Sequence, residues 1–256
     1  MSSSWKQVVF DVRDGIVKRN KMVFLFLAWS AVCIYWGVWN FTSIYDFYGY
    51  DTSTADMLIL MQHQWNFGIM ILPAAVFIIM KCKQDSLSVQ FILRYGSRKR
   101  AFGRQIMESA VYALVMPLLI AGMETLFAYM RSRQLMNWDS LDGLYYAQTG
   151  AVCRGSFLLL FLSICCMYFL KIMMVLLLLD ILLWFRKYLF ALWIVLVLLA
   201  GIESLDIRFF HQFFAIRYQY WEIPWRHVVI FLIGILIMAA EYIIGITMIR
   251  KNDIFK

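Results

Sequence analysis

The chain has 256 residues, of which 63% are hydrophobic and 16% charged, and its mean hydropathy is +0.71. An ordinary soluble domain carries about 25% charged residues, so a water-soluble core is excluded as the explanation of this composition. Runs that approach ~20 apolar residues fit α-helices crossing a ~30 Å hydrocarbon layer, and the ~10-residue alternation of a membrane barrel is absent. The formal net charge is +8, yet the cations sit in short loops beside apolar runs, where orientation signals belong. Nucleic acid is therefore not an expected partner.

Taken in chain order, residues 4–20 do not read as a span. Trp5, Val8, Val9, Val12 and Ile16 repeat at helical spacing on one face, opposite Gln7, Asp11, Asp14 and Lys18. Ser4 and Gln7 are spaced as a capping box, so this stretch is expected to be an interfacial amphipathic helix lying on the membrane surface. The N-terminus lacks the short apolar core and small-residue cleavage site of a secretory signal, and the first span is expected to be retained. The expected spans are 22–41, 65–80, 106–130 (bent at Pro117), 155–184, 188–203 and 228–249. The single transmembrane domain covers 1–256, and the fold class is an all-α membrane protein.

Six spans put both termini on one side. That side collects Lys6, Arg13, Lys18, Arg19, Lys21, Lys81, Lys83, Arg94, Arg98, Lys99, Arg100, Arg104, Arg186, Lys187, Arg250, Lys251 and Lys256. The other side has Arg131, Arg133, Arg154, Arg208, Arg217 and Arg226. The positive-inside rule then places both termini in the cytoplasm. Within the basic segment ILRYGSRKRAFGR and just before it, Asp85 can cap a short helix at 86–95. Leu87, Phe91 and Tyr95 recur at helical spacing, Gly96 suits a left-handed C-cap, and Ser97 can cap the start of the third span.

Before the last span, residues 204–227 are too aromatic for a solvated loop and too charged to cross. They are expected to lie in the interface or to form an outer re-entrant segment. Glu108, Glu124, Lys171, Asp180 and Glu241 fall within or near spans, where pairing or protonation is expected. Lys171 can pair with Glu108 or with Glu241. Cys33, Cys82, Cys153, Cys165 and Cys166 form no CxxC pattern or disulfide framework. The 16 methionines read as packing filler, and His63, His211 and His227, all on the outer side, are too scattered in sequence to argue a zinc site.

Four features together resemble the membrane subunit of an ABC transporter of the ABC-2 (type V exporter) class. They are SWKQVVFDVRDGIV before the first span, ILRYGSRKRAFGRQI between spans two and three, the aromatic insertion before the last span, and the basic end IRKNDIFK. The short chain is similar to permeases of the antimicrobial-peptide export and immunity group. The resemblance implies a coupling helix at 86–95 that docks an ATPase through Leu87, Phe91, Arg94, Tyr95 and Arg98. It also implies an outer gate of Phe209, Phe210, Phe213, Phe214 and Trp221, and a transport route faced by spans two and five. The implied partners are two copies of an ABC ATPase, a second copy of the chain or a similar permease, and the lipid bilayer of a bacterial plasma membrane.

No G-x-x-x-x-G-K-[ST] loop occurs, so ATP and Mg would sit on the partner subunit and no cofactor or metal is expected on this chain, which is not itself an enzyme. The competing readings are an ion-coupled secondary carrier using Glu108, Lys171 and Glu241, an intramembrane enzyme, for which no HExxH or GxSxG is present, and a noncatalytic membrane assembly or sensor subunit.

Overall fold

The computed structural model describes residues 2–83, 97–184, 188–204, 208–221 and 224–252. The described residues form helices α1 (Ser2–Lys18), α2 (Asn20–Phe47), α3 (Thr54–Met61) and α4 (Leu72–Cys82), with a π-helical stretch, Gln64–Ile71, running directly into α4. There follow α5 (Arg98–Ser132), α6 (Leu144–Thr149), α7 (Phe157–Leu183), α8 (Tyr188–Ser204), α9 (Phe209–Phe213), α10 (Tyr218–Trp221) and α11 (Pro224–Asn252). The only strand-like pairing among them is one isolated bridge between Asp51 and Gly143. Among the described residues, five helical stretches are long and apolar enough to cross a membrane: Asn20–Phe47, Gln64–Cys82, Arg98–Ser132, Phe157–Leu183 and Trp225–Ile249. This is the character of an all-α multi-pass membrane protein.

Apolar content alone makes these segments helical candidates, and burial separates their roles. In the most apolar 18-residue window, 72% of α7 is buried against 11% of α11. The core therefore centres on α7, with α5 and then α11 packed most extensively along it, α11 leaving most of its own surface exposed, while the π stretch packs chiefly against α8. Close approaches are made by glycines: a Cβ on Gly234 of α11 would come 2.7 Å from Leu170, and one on Gly37 of α2 would come 2.8 Å from Met61 Sδ.

The two ends of the bundle differ. One end gathers α1, the end of α4, the start of α5, the end of α7 and the end of α11, where Phe102, Ile181 and Ile249 pack together. The other gathers α3, the 133–156 segment, α6, α9 and α10. There Thr54 N–H and Ala55 N–H donate to the carbonyls of Gln134 and Leu135, and Leu144 N–H donates to Asp51 O.

Several sequence expectations change. The first helix starts at Ser2, so Ser4 lies in its first turn and cannot be the capping residue. The predicted face of α1 is split: Val8 and Val12 are buried against the bundle, while Trp5, Val9 and Ile16 stay exposed. The rotation is set by Gly15, whose missing Cβ would stand 2.6 Å from the carbonyl of Cys82, and by Tyr112 Oη donating to Val12 O. Helix α2 continues six residues past Phe41, and α5 begins at Arg98, eight residues ahead of the expected 106, with Pro117 inside it. Ser97 caps α5 as expected, its hydroxyl accepting from Arg100 N–H at 3.3 Å.

Candidate functional site

Polar groups buried among apolar helices are the informative ones, because each must find a partner or serve a purpose. They lie in three layers.

The first layer sits at the end holding α1. Lys83, one residue beyond α4, has its side chain fully buried and its Nζ 2.7 Å from Asp180 Oδ1 of α7, also fully buried. Lys83 Nζ also donates to Ser109 Oγ. Ser109 Oγ donates to Asp180 Oδ2 at 2.6 Å, and Gln105 Nε2 donates to Asp180 Oδ1 at 2.9 Å. Trp184 Nε1 closes the chain on Gln105 Oε1 at 3.1 Å. A second set begins at Arg104, whose guanidinium reaches Asp11 of α1 at 2.7 Å and Glu108 at 3.6 Å. Thus α1, α4, α5 and α7 are joined by charge where the chain leaves α4 for residues 84–96.

The middle layer surrounds the π stretch. Its wide turn is seen in Leu72 N–H, which donates to Phe67 O five residues back, and in Met70 O, which accepts from Trp29 Nε1 at 3.2 Å. Such turns occur mostly as single insertions, frequently at functional sites. Phe67 stacks on Tyr168 of α7 with centroids 4.0 Å apart and planes 6° from parallel. Lys171 Nζ lies 4.9 Å from the Phe67 centroid and 5.7 Å from that of Tyr168, a cation over two ring faces. Tyr168 Oη donates to Glu124 at 2.9 Å. Glu203 of α8 accepts from Phe210 N–H at 2.7 Å, and its other oxygen fills the space left by Gly68, where a Cβ would stand 2.9 Å away.

The outer layer is a cap. Ser53 and Asp56 form a reciprocal capping box at the start of α3, and Asp56 Oδ1 also accepts from Trp138 Nε1 at 2.9 Å. Trp138 is 1% exposed, stacks on Tyr145 at 4.5 Å, and meets Tyr218 and Trp221 edge-on. Burial holds the Asp56 carboxyl above its ordinary range, opposed by hydrogen bonds from Ser53 and Trp138. His63 and His211 meet with centroids 5.1 Å apart. Burial, then the neighbouring His63, pushes His211 down to about 4, so it is neutral near pH 7.

Of the coupling residues expected from the sequence, Leu87, Phe91, Arg94 and Tyr95 lie outside the described residues, whereas Arg98 is exposed on the first turn of α5. Phe210 and Phe214 are buried over the Glu203 end of α8. Phe209 packs against Phe210, Phe213 and Phe214, and Trp221 joins the Trp138 cluster, while the Phe213 side chain is largely exposed.

The expected partners of Lys171 are corrected. Glu108 is drawn to Arg104 one turn away, and no cation acts on Glu241 among the described residues; the carboxylates that act on Lys171 are Glu203 and Glu124. In the sequence Lys83 reads as a loop cation, and neither Glu203 nor Asp56 stands out as a site residue. The Ser53-x-x-Asp56 spacing is a readable signal for the last. Among the described residues no group of three or more His, Cys, Asp or Glu could hold a metal ion. No family model, curated protein or solved structure matches the chain.

Proposed function

We propose that this chain is the membrane-spanning subunit of an ATP-driven exporter of the ABC-2 type, working with a separate ATPase. The observation that carries the reading is the buried joint of Lys83, Asp180, Ser109 and Gln105. It stands at the root of the 84–96 segment, and Ser97 caps the helix on the other side. A force applied to a coupling helix at 86–95 would reach α4, α5 and α7 at once, and α1 through Arg104 and Asp11. Displacement is transmitted by rigid packed elements, whereas a loose loop would absorb it.

In this reading α8 is a sixth crossing, running from the α1 end of the bundle back to the cap. Both termini then lie in the cytoplasm of a bacterial cell, in accord with the excess of Lys and Arg at that end. Six spans make half of a membrane part, so two copies, or one copy and a similar permease, combine with two ATPase subunits that hold ATP and Mg. The phenylalanines of α9 and the Trp138 cluster close the outer end, and the cargo is an amphipathic peptide, a lipid-like molecule or an antibiotic. The chain contributes no hydrolytic chemistry.

Copurification tests this. An ATPase subunit should accompany the full chain from its native membrane, and Phe91→Ala with Tyr95→Ala should release it. Normal assembly and ATP-dependent export in that double variant would reject the docking assignment. A second reading, an ion-coupled carrier, is favoured by the Lys171, Glu124 and Glu203 group beside a π turn. Transport by the purified chain in vesicles without nucleotide would mark that reading as the right one.

A further inference from the structure

Glu241 lies within α11, the least buried of the long helices. Its Oε2 is buried and has no hydrogen-bond partner among the described residues. A charged group within a span is strongly disfavoured unless something neutralises it, and such groups mark pathways or ligand sites more often than packing.

The surroundings supply the second observation. Glu241 lines a half-open crevice of about 200 Å³ between α7, α8, α9 and α11. Met174, Leu178, Leu198, Ile202, Phe210 and Ile237 form its walls, and among the described residues Glu241 is its one ionisable side chain. The larger crevice between α2 and α4, about 280 Å³, is lined by Met22, Phe26, Trp29 and Phe77 with no charged group among the described residues, so an apolar hollow of this kind does not require a carboxylate. Leu178 and Leu198 are themselves partly exposed, so the crevice opens sideways where α11 presents its apolar flank.

We infer that this crevice is a binding site for a cationic amphiphile, an alkyl or aryl amine whose ammonium meets Glu241 while its apolar body fills the hollow. Charge complementarity selects the occupant. A fatty acid or alkyl phosphate would bring a second anion to an unneutralised carboxylate, and a neutral lipid would leave it unpaired. A zwitterionic phospholipid keeps its headgroup at the interface, away from the interior of α11. The volume admits roughly one ring or a short chain, so the rest of a longer amine would run out through the open side among lipid tails. This site stands apart from the ATPase reading and does not depend on it.

The test uses the full chain in phosphatidylcholine nanodiscs and two photoreactive probes, a diazirine-bearing dodecylamine and the matched dodecanol, with labelled peptides mapped by mass spectrometry. The amine should mark peptides containing Met174, Leu178 and Leu198, and octylamine should compete. Glu241→Gln, which keeps the volume, should cut amine labelling by about tenfold and leave alcohol labelling unchanged. Leu198→Trp, which fills the hollow but keeps the carboxylate, should also abolish it. Equal labelling by both probes, or amine labelling left undiminished by either substitution, overturns the proposal. Disulfide trapping of Ile237→Cys between two copies in the same nanodiscs, with loss of amine labelling, would show that a second copy covers the crevice, and overturns it equally. Unchanged thermal transitions confirm that the variants are folded.

Discussion

Lys83 and Lys171 are the same residue type at the same 1% exposure, and the protein treats them in opposite ways. Lys83 has Asp180 at 2.7 Å and Ser109 as a further partner, and Asp180 is held again by Gln105. Lys171 looks onto the faces of Phe67 and Tyr168, with Glu203 and Glu124 acting on it without an ion pair inside 4.0 Å. A buried charge whose partner is within hydrogen-bond reach is a fixed joint, because losing one member strands the other. A charge held by ring faces and more distant carboxylates has no single partner to lose, so a modest shift of the helices can change what it feels. The α1 end is thus held by a direct, hydrogen-bonded ion pair, and the interior around Lys171 is not.

The largest effect should come from breaking the joint. Lys83→Met leaves the Asp180 carboxylate stranded and should cost about 3–5 kcal/mol, read as a fall in the denaturation midpoint of the purified protein. Lys83→Met with Asp180→Leu should recover most of the loss, since the pair is then removed together. A single variant as stable as the parent would erase the contrast with Lys171.

Lys171→Met removes no hydrogen bond and should cost only about 1 kcal/mol, the scale of a cation–π contact. If the exporter reading holds, it should lower ATP-driven transport far more than stability. Equal transport by this variant would make Lys171 a packing residue and end the distinction.

The smallest effect sharpens the comparison at the cap. Burial and His63 hold folded His211 at about 4 against an ordinary 6.5, and Lys171 pushes in the same direction. The folded state therefore gives up this proton more readily than the unfolded chain. Stability from the neutral ring is complete above pH 6.5 and is lost as pH falls from 6.5 through about 4. A His211→Gln variant should lose that part of the acid sensitivity, and Lys171→Met should narrow the window by letting His211 protonate more easily. A cap whose proteolysis has the same pH profile in all three proteins would remove His211 from the account.

Much of the helical layout is legible in the sequence because apolar length announces a span. The expected 155–184 segment is helix Phe157–Leu183, and Ser97 caps α5 as its spacing predicts. What escapes depends on rotation about helix axes. Whether Lys171 meets Glu108 or Glu203 is decided by how α7 turns against α5 and α8, which an all-apolar helix does not encode in a polar stripe. The split face of α1 follows from two contacts, Gly15 on Cys82 and Tyr112 on Val12 O, and not from its amphipathic pattern. The π turn in QWNFGIMI has no compositional mark, and Lys83 looks like an orientation signal because positive residues at span ends usually are.

That turn carries one residue more than a regular helix would use over the same rise. Rewinding it would pass the surplus along the chain and swivel one flank against the other by about 100°. Phe67 would slide off Tyr168 and Gly68 would swing away from Glu203, and because α4 runs on from the stretch to Lys83, the turn would also pull on the Lys83–Asp180 joint. Deleting a single residue from Gln64–Ile71 should take out this surplus, and the fall in denaturation midpoint would measure how far the Phe67–Tyr168 stack and the Gly68–Glu203 contact depend on the wide turn.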